Sequence, residues 1–155
     1  MNLGHEARLA ALGITLPTAV APAANYVPAR RTGAYVYIAG QVPVADGKDQ
    51  FVGKLGRDVS IEDGQKAARL CAINILAQLR AALGGSLDNV VGCVRLGGFV
   101  NATPEFGDQP KVINGASDLM VEVFGDAGRH ARAAVGCASL PRNVAVEVDA
   151  IFEVR

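Results

Sequence analysis

Arg129-His-Ala-Arg132-Ala-Ala-Val-Gly-Cys-Ala-Ser-Leu-Pro141-Arg-Asn-Val-Ala-Val-Glu147-Val-Asp-Ala-Ile-Phe-Glu-Val154 reads as two strands joined by a tight turn at Leu140-Pro-Arg-Asn143. Proline presets the turn angle and asparagine tolerates the unusual ones. From Val144 the residues alternate: Val144, Val146, Val148, Ala150, Phe152 and Val154 point one way, and Ala145, Glu147, Asp149, Ile151 and Glu153 the other. On the preceding strand Arg132, Ala134, Gly136 and Ala138 share a face, one long cation beside three very small side chains. With a two-residue loop, Gly136 faces Glu147. Arg132 and Glu147 then share a face roughly 13 Å apart along the strand. That spacing suits two groups gripping opposite ends of a small molecule; equally, Arg132 can simply end its strand at the surface.

Working outward, Ser60 caps the longest expected helix, which runs to about Leu83 and stops at Gly84-Gly85. Ala68, Cys71, Ile75, Leu79 and Leu83 form its buried stripe, and Glu62 and Asp63 suit its N-terminal end. A second helix is expected from about Lys111 to Phe124, with Val112, Ala116, Leu119, Met120 and Val123 inward and Asn114 in its first turn. Between them Asp88 to Asn101 reads as an apolar strand. Upstream, Ala34 to Ala39 is a strand ending at Gly40-Gln-Val-Pro43, where glycine permits close approach of other groups. Asp46-Gly47 signals a hairpin turn, and a loop follows to about Asp58. Residues 2–12 suit a short helix ended by Gly13. Thr15 to Pro28 is an irregular arm carrying Tyr26, read as a packing anchor. The order β-β-α-β-α-β-β implies an α+β domain, one sheet with two helices on one face. Nothing in the chain is left to cover the other face, which predicts a closed homo-oligomer.

Composition narrows function. The 155 residues suit a single domain, 1–155, whose residues 1–19 form the N-terminal arm and short helix. No apolar run reaches membrane-spanning length and no secretory signal opens the chain, so a cytoplasmic protein without a membrane partner is expected. Net charge is zero, tryptophan is absent and aromatics are 5%, which removes both the electrostatic pull toward nucleic acid and the base-stacking platform. Arg30-Arg31 reads as a solvated loop. Cys71, Cys93 and Cys137 lack metal or disulfide spacing and read as buried small hydrophobes. With only His5 and His130 available, no metal site is expected, and neither histidine has a neighbouring Ser or Cys in sequence.

Ala131-Arg132, the small-residue strand, Leu140-Pro141 and Val146-Glu147-Val148 together resemble the closing signature of the RidA/YjgF family, also called the endoribonuclease L-PSP family. Ala39-Gly40-Gln41-Val42-Pro43 is similar to its Ser-Gly-Gln-Ile-Pro strand end. Tyr26, fourteen residues before Gly40, matches the family's binding-site tyrosine, and Asn114 the asparagine opening its second helix. The resemblance covers about residues 20–155. It implies a chorismate mutase-like fold: a six-stranded mixed sheet, two helices on one face, and homotrimers whose sheets close into a barrel with clefts between subunits. It also implies hydrolysis of reactive 2-imino or enamino acids to 2-keto acids and ammonia, with no cofactor. Carried over, Arg132 would bind a substrate carboxylate bidentately and Glu147 would orient or deprotonate the attacking water. Gly40 would offer backbone groups, and Tyr26, Asn114 and Ala134 would line the cleft. This chain departs from the family in placing Ala134 where a cysteine stands, Ala24-Asn25 where Gly-Pro precedes the tyrosine, and one extra residue between Asn114 and Arg132. These differences suggest a separate branch. A ligand-binding trimer is the alternative function, and an endoribonuclease ranks last.

Overall fold

The computed structural model describes residues 3–22 and 24–155. A short helix α1 (His5–Ala11) leads through the arm to strands β1 (Ala29–Thr32) and β2 (Tyr35–Gln41) and a small hairpin, β3 (Val44–Ala45) and β4 (Lys48–Asp49). Helix α2 (Ile61–Ala82), strand β5 (Val90–Asn101), helix α3 (Gln109–Phe124) and strands β6 (Ala131–Cys137) and β7 (Val146–Val154) follow. Ser60 caps α2 by accepting the Asp63 N–H at 3.1 Å. Both helices lie on one face of the sheet, and the expected inward residues of α3 are all buried. In α2, Ala68, Cys71, Ile75 and Leu79 are buried and Leu83 is partly so.

The main sheet has five strands in the order β1-β2-β7-β5-β6, and β3-β4 stands as a separate two-stranded ribbon. This corrects the expectation of six strands in one sheet. It also places Arg30 and Arg31 on an edge strand, opposite Tyr37 and Val36, rather than in a loop.

The larger correction concerns the opening stretch. β6 and β7 do not pair, because β5 lies between them, parallel to β6 and antiparallel to β7. The Pro141–Asn143 segment is a 3₁₀ turn with Arg142 and Asn143 at positive φ, and it crosses over one strand instead of closing a hairpin. Gly136 is level with Val146, through Val100, and Glu147 with Val135, through Phe99.

Residues level in adjacent strands share a face. Leu96, Arg132 and Ala150 are level, as are Gly98, Ala134 and Val148, and this is the helix-covered face. A side chain at Gly98 would strike Ile113 of α3. Phe99, Val135 and Glu147 are level on the open face, where Tyr35, Tyr37, Val91 and Val135 are exposed. Within one chain, Arg132 and Glu147 therefore lie on opposite faces. The alternation inside each strand is as expected; the facing between them is not.

One polar side chain is buried completely at the end of β5. The Asn101 amide donates to the Gly53 carbonyl, Asn143 Oδ1 and the Val144 carbonyl, and its Oδ1 accepts Lys54 Nζ at 2.6 Å. It clamps the loop after β4 to the turn before β7, satisfying groups that burial would otherwise leave unpaired. Among the described residues no helix is long and apolar enough to cross a membrane.

Candidate functional site

Two clusters contain Arg132, Asn114, Ala134, Glu147 and Gly40 from the residues singled out in the sequence. The first is built where α3 meets β6. The chain leaves α3 through a 3₁₀ turn, Gly125–Gly128, in which Gly128 packs so closely on the Met120 carbonyl that a Cβ would lie 2.1 Å from its oxygen. That approach, open only to glycine, turns the chain back so that β6 starts beside α3. Asn114 and Ser117, three residues apart, share the helix face that looks at it. Arg132 Nη1 donates to Asn114 Oδ1 at 2.8 Å and to Ser117 Oγ at 3.1 Å, and Nη2 donates to the Pro110 carbonyl at 3.4 Å.

Both Nη1 hydrogens are thus engaged, and one Nη2 hydrogen points at the helix. Among the described residues no bond engages the Nε–H, and Nη2 keeps one hydrogen, so this side of the guanidinium can receive an anion. Arg132 makes no ion pair with any described carboxylate. A cation held in place by neutral groups, with one edge unspent, is organised to receive a carboxylate. Ala134, two residues on, packs against the core beside it.

A histidine completes this cluster. His130 Nε2 lies 2.8 Å from Ser117 Oγ, and its Nδ1 lies 2.7 Å from the Gly128 carbonyl. Burial, its largest influence, pulls the imidazole below its ordinary value; the Gly128 carbonyl opposes that shift and the Arg132 charge adds to it. Burial and the Arg132 charge thus both favour the neutral imidazole. Sequence reading found no hydroxyl near this histidine, since Ser117 precedes it by thirteen residues and reaches it only through the packing of α3 on the sheet.

The second cluster sits on the open face. Pairing between β2 and β7 slips between Ile38 and Gln41, a bulge that contains Gly40. Asn74 of α2 fixes the following loop by donating to the Val42 and Val44 carbonyls at 2.9 and 3.0 Å. A Cβ on Gly40 would lie 2.2 Å from Glu147 Oε1, so the carboxylate rests directly over the glycine. Burial, and then repulsion from Asp149, pushes the Glu147 carboxyl up, while Arg142 partly counters both. Arg142 is itself clamped side-on to Asp49, at 2.7 and 2.8 Å, which holds the Asp49 carboxyl low.

Arg132, Asn114 and Ala134 are thus together, and Glu147 and Gly40 are together, but the two groups occupy opposite faces across two strand spacings, roughly 10 Å. Tyr26 joins neither cluster. It is 57% exposed on the arm, contrary to the expected packing anchor. Cys71 and Cys93 are buried as expected, and burial raises the Cys93 thiol to about 12; Cys137 is half-buried on the edge strand β6.

A family profile described as "YjgF/chorismate mutase-like, putative endoribonuclease" matches residues 6–154. Protein TCP17 of Trypanosoma cruzi is 49% identical over 148 residues, covering 95% of this chain and 92% of that protein. A crystal structure of a protein of unknown function from Agrobacterium tumefaciens superposes with a TM-score of 0.91 at 52% identity, over 97% of this chain and 92% of the other. A "putative endoribonuclease" from Shewanella oneidensis gives 0.93 at 36% identity, over 98% and 100%. The YjgF gene product of E. coli is more distant, with a TM-score of 0.62 at 27% identity over 91% and 98%. The contrast is consistent with a branch distinct from YjgF itself.

Proposed function

Because this chain belongs to the YjgF/chorismate mutase-like family, we propose that it hydrolyses small 2-imino or enamino acids to 2-keto acids and ammonia, in clefts formed where two subunits of a trimer meet. The observation that carries this reading is Arg132, a preorganised and unneutralised fork with one edge free. The substrate carboxylate docks on that edge. Glu147, supplied by the neighbouring subunit, takes a proton from a water that adds to the electrophilic imine carbon. Glu147 passes that proton to the imine nitrogen, and the resulting carbinolamine expels ammonia as its hydroxyl proton is carried by the same carboxylate to the nitrogen. A carboxyl with a raised pKa is a better match to proton transfer near neutrality than an ordinary one. Positioning supplies much of the rest, since the imine is already reactive.

The same geometry supports the assembly. With Arg132 and Glu147 on opposite faces of one chain, a cleft containing both needs two chains, and the uncovered face bearing Tyr35 and Tyr37 is where a second sheet would pack. Zero net charge and few aromatics favour a small carboxylate over RNA, whatever the family's name.

Ammonia release from 2-iminobutyrate, generated in place by an amino-acid oxidase, tests the proposal. Wild type should accelerate release, and Arg132→Ala should lose that acceleration by about 10²-fold or more. Binding of 2-oxobutyrate by wild type without any acceleration would instead establish a ligand-binding trimer.

A further inference from the structure

We propose that Ser117 is a nucleophile, with His130 as its base and Arg132 as its anion anchor, and that it is acylated by small activated esters carrying a second, anionic carboxylate. This activity does not depend on imine hydrolysis, although it shares Arg132.

The hydrogen-bond directions follow from donor chemistry. The Gly128 carbonyl can only accept, so His130 Nδ1 carries the ring proton and Nε2 presents a lone pair. Ser117 therefore donates its O–H to Nε2 at 2.8 Å. Its oxygen accepts from Arg132 Nη1 at 3.1 Å. The hydroxyl thus has its proton aimed at a base and its oxygen beside a fixed positive charge, which together favour the alkoxide. A serine in the middle of a helix ordinarily turns its hydroxyl to solvent or to the carbonyl four residues back; here it is turned to His130. Nucleophile, base, and a third group orienting the base form the arrangement that activates serine in unrelated hydrolases, with a backbone carbonyl standing here where a carboxylate often does. Ser117, His130 and Arg132 are each only partly buried.

The step balances. Ser117 Oγ forms a bond to the ester carbonyl carbon as its proton passes to His130 Nε2. The tetrahedral oxyanion collapses, breaking the bond to the leaving alkoxide or phenolate, which takes the proton from Nε2. Water, deprotonated by the same nitrogen, then releases the acid and restores the serine. The Nε/Nη2 edge belongs to the same guanidinium that holds this hydroxyl through Nη1 but faces away from it, so an ester whose anionic group stands several atoms from its carbonyl can use both.

The test uses the full chain. Treatment with a fluorophosphonate probe, followed by peptide mass spectrometry, should place one label per chain on Ser117. Mono-4-nitrophenyl succinate should give a burst of 4-nitrophenolate near one equivalent and outpace 4-nitrophenyl acetate. Ser117→Ala should abolish label and burst, His130→Gln should slow both by about 10²–10⁴-fold, and Arg132→Ala should erase the preference for the succinate ester. Site assignment on wild type does not depend on any variant folding. Absence of label and burst, or a label elsewhere, overturns the proposal. Ammonia release measured on the same preparation separates this result from the fate of the imine reading.

Discussion

Two inactive variants, combined, should regain activity. Arg132→Ala removes a bidentate, charge-assisted contact, costing about 3 kcal/mol or more of substrate and transition-state binding, a factor of about 10²–10³. Glu147→Gln removes the proton acceptor on the opposite face of the same chain. If each cleft takes Arg132 from one subunit and Glu147 from its neighbour, a mixed ring contains some clefts with both native residues. An intact cleft needs its arginine donor to be the Glu147→Gln chain and its glutamate donor to be the Arg132→Ala chain. Random assembly of equal amounts makes about one cleft in four native in a head-to-tail ring. Co-expression of the two variants with different tags, tandem purification and the ammonia assay would read this out, with wild type setting the scale. Activity no higher than that of either variant alone would refute the two-chain cleft.

Two further outcomes test the packing and the electrostatics. A methyl at Gly115 would lie 2.0 Å from the Gln65 carbonyl oxygen, backbone against backbone between α3 and α2. Gly115→Ala should therefore destabilise by about 2–3 kcal/mol, lowering the thermal midpoint by about 5–10 °C in a chain of this size. The raised Glu147 carboxyl means the folded state binds its proton more readily than the unfolded one. Its contribution to stability is complete below the ordinary carboxylate pKa and is lost as pH rises through the folded value. Glu147→Gln should thus unfold at a higher temperature than wild type at pH 7, with the gap closing as pH falls to the carboxylate range; a lower midpoint at pH 7 would contradict this.

How much of this was legible beforehand depends on what periodicity encodes. The alternation of Val146 to Val154 set the buried face of β7 correctly, and the stripes of both helices turned inward as read. Alternation says nothing about which strand lies alongside. A proline turn between two strands suggests a hairpin, yet β5, with Gly97 and Gly98 leaving room on its two faces, takes the position between them. That single insertion moved Glu147 to the face opposite Arg132. Asn114 was found through family wording, whereas Ser117 had no local signal at all. Its partner becomes visible only once α3 lies on β6 and the Gly125–Gly128 turn brings His130 round.

The position of β7 has a consequence for how the chain is made. It is the middle strand of the five, between β2 and β5, yet it emerges from the ribosome after the other four strands of the sheet. Until it arrives, the β1-β2 ribbon and the β5-β6 pair have no common edge, and each shows a row of open backbone groups to its surroundings. Folding therefore waits on its longest-range pairing. A chain cut short before Val146 would lose the piece that makes two half-sheets one, and during synthesis those two edges are where chaperones would bind or neighbouring nascent chains would cross-pair.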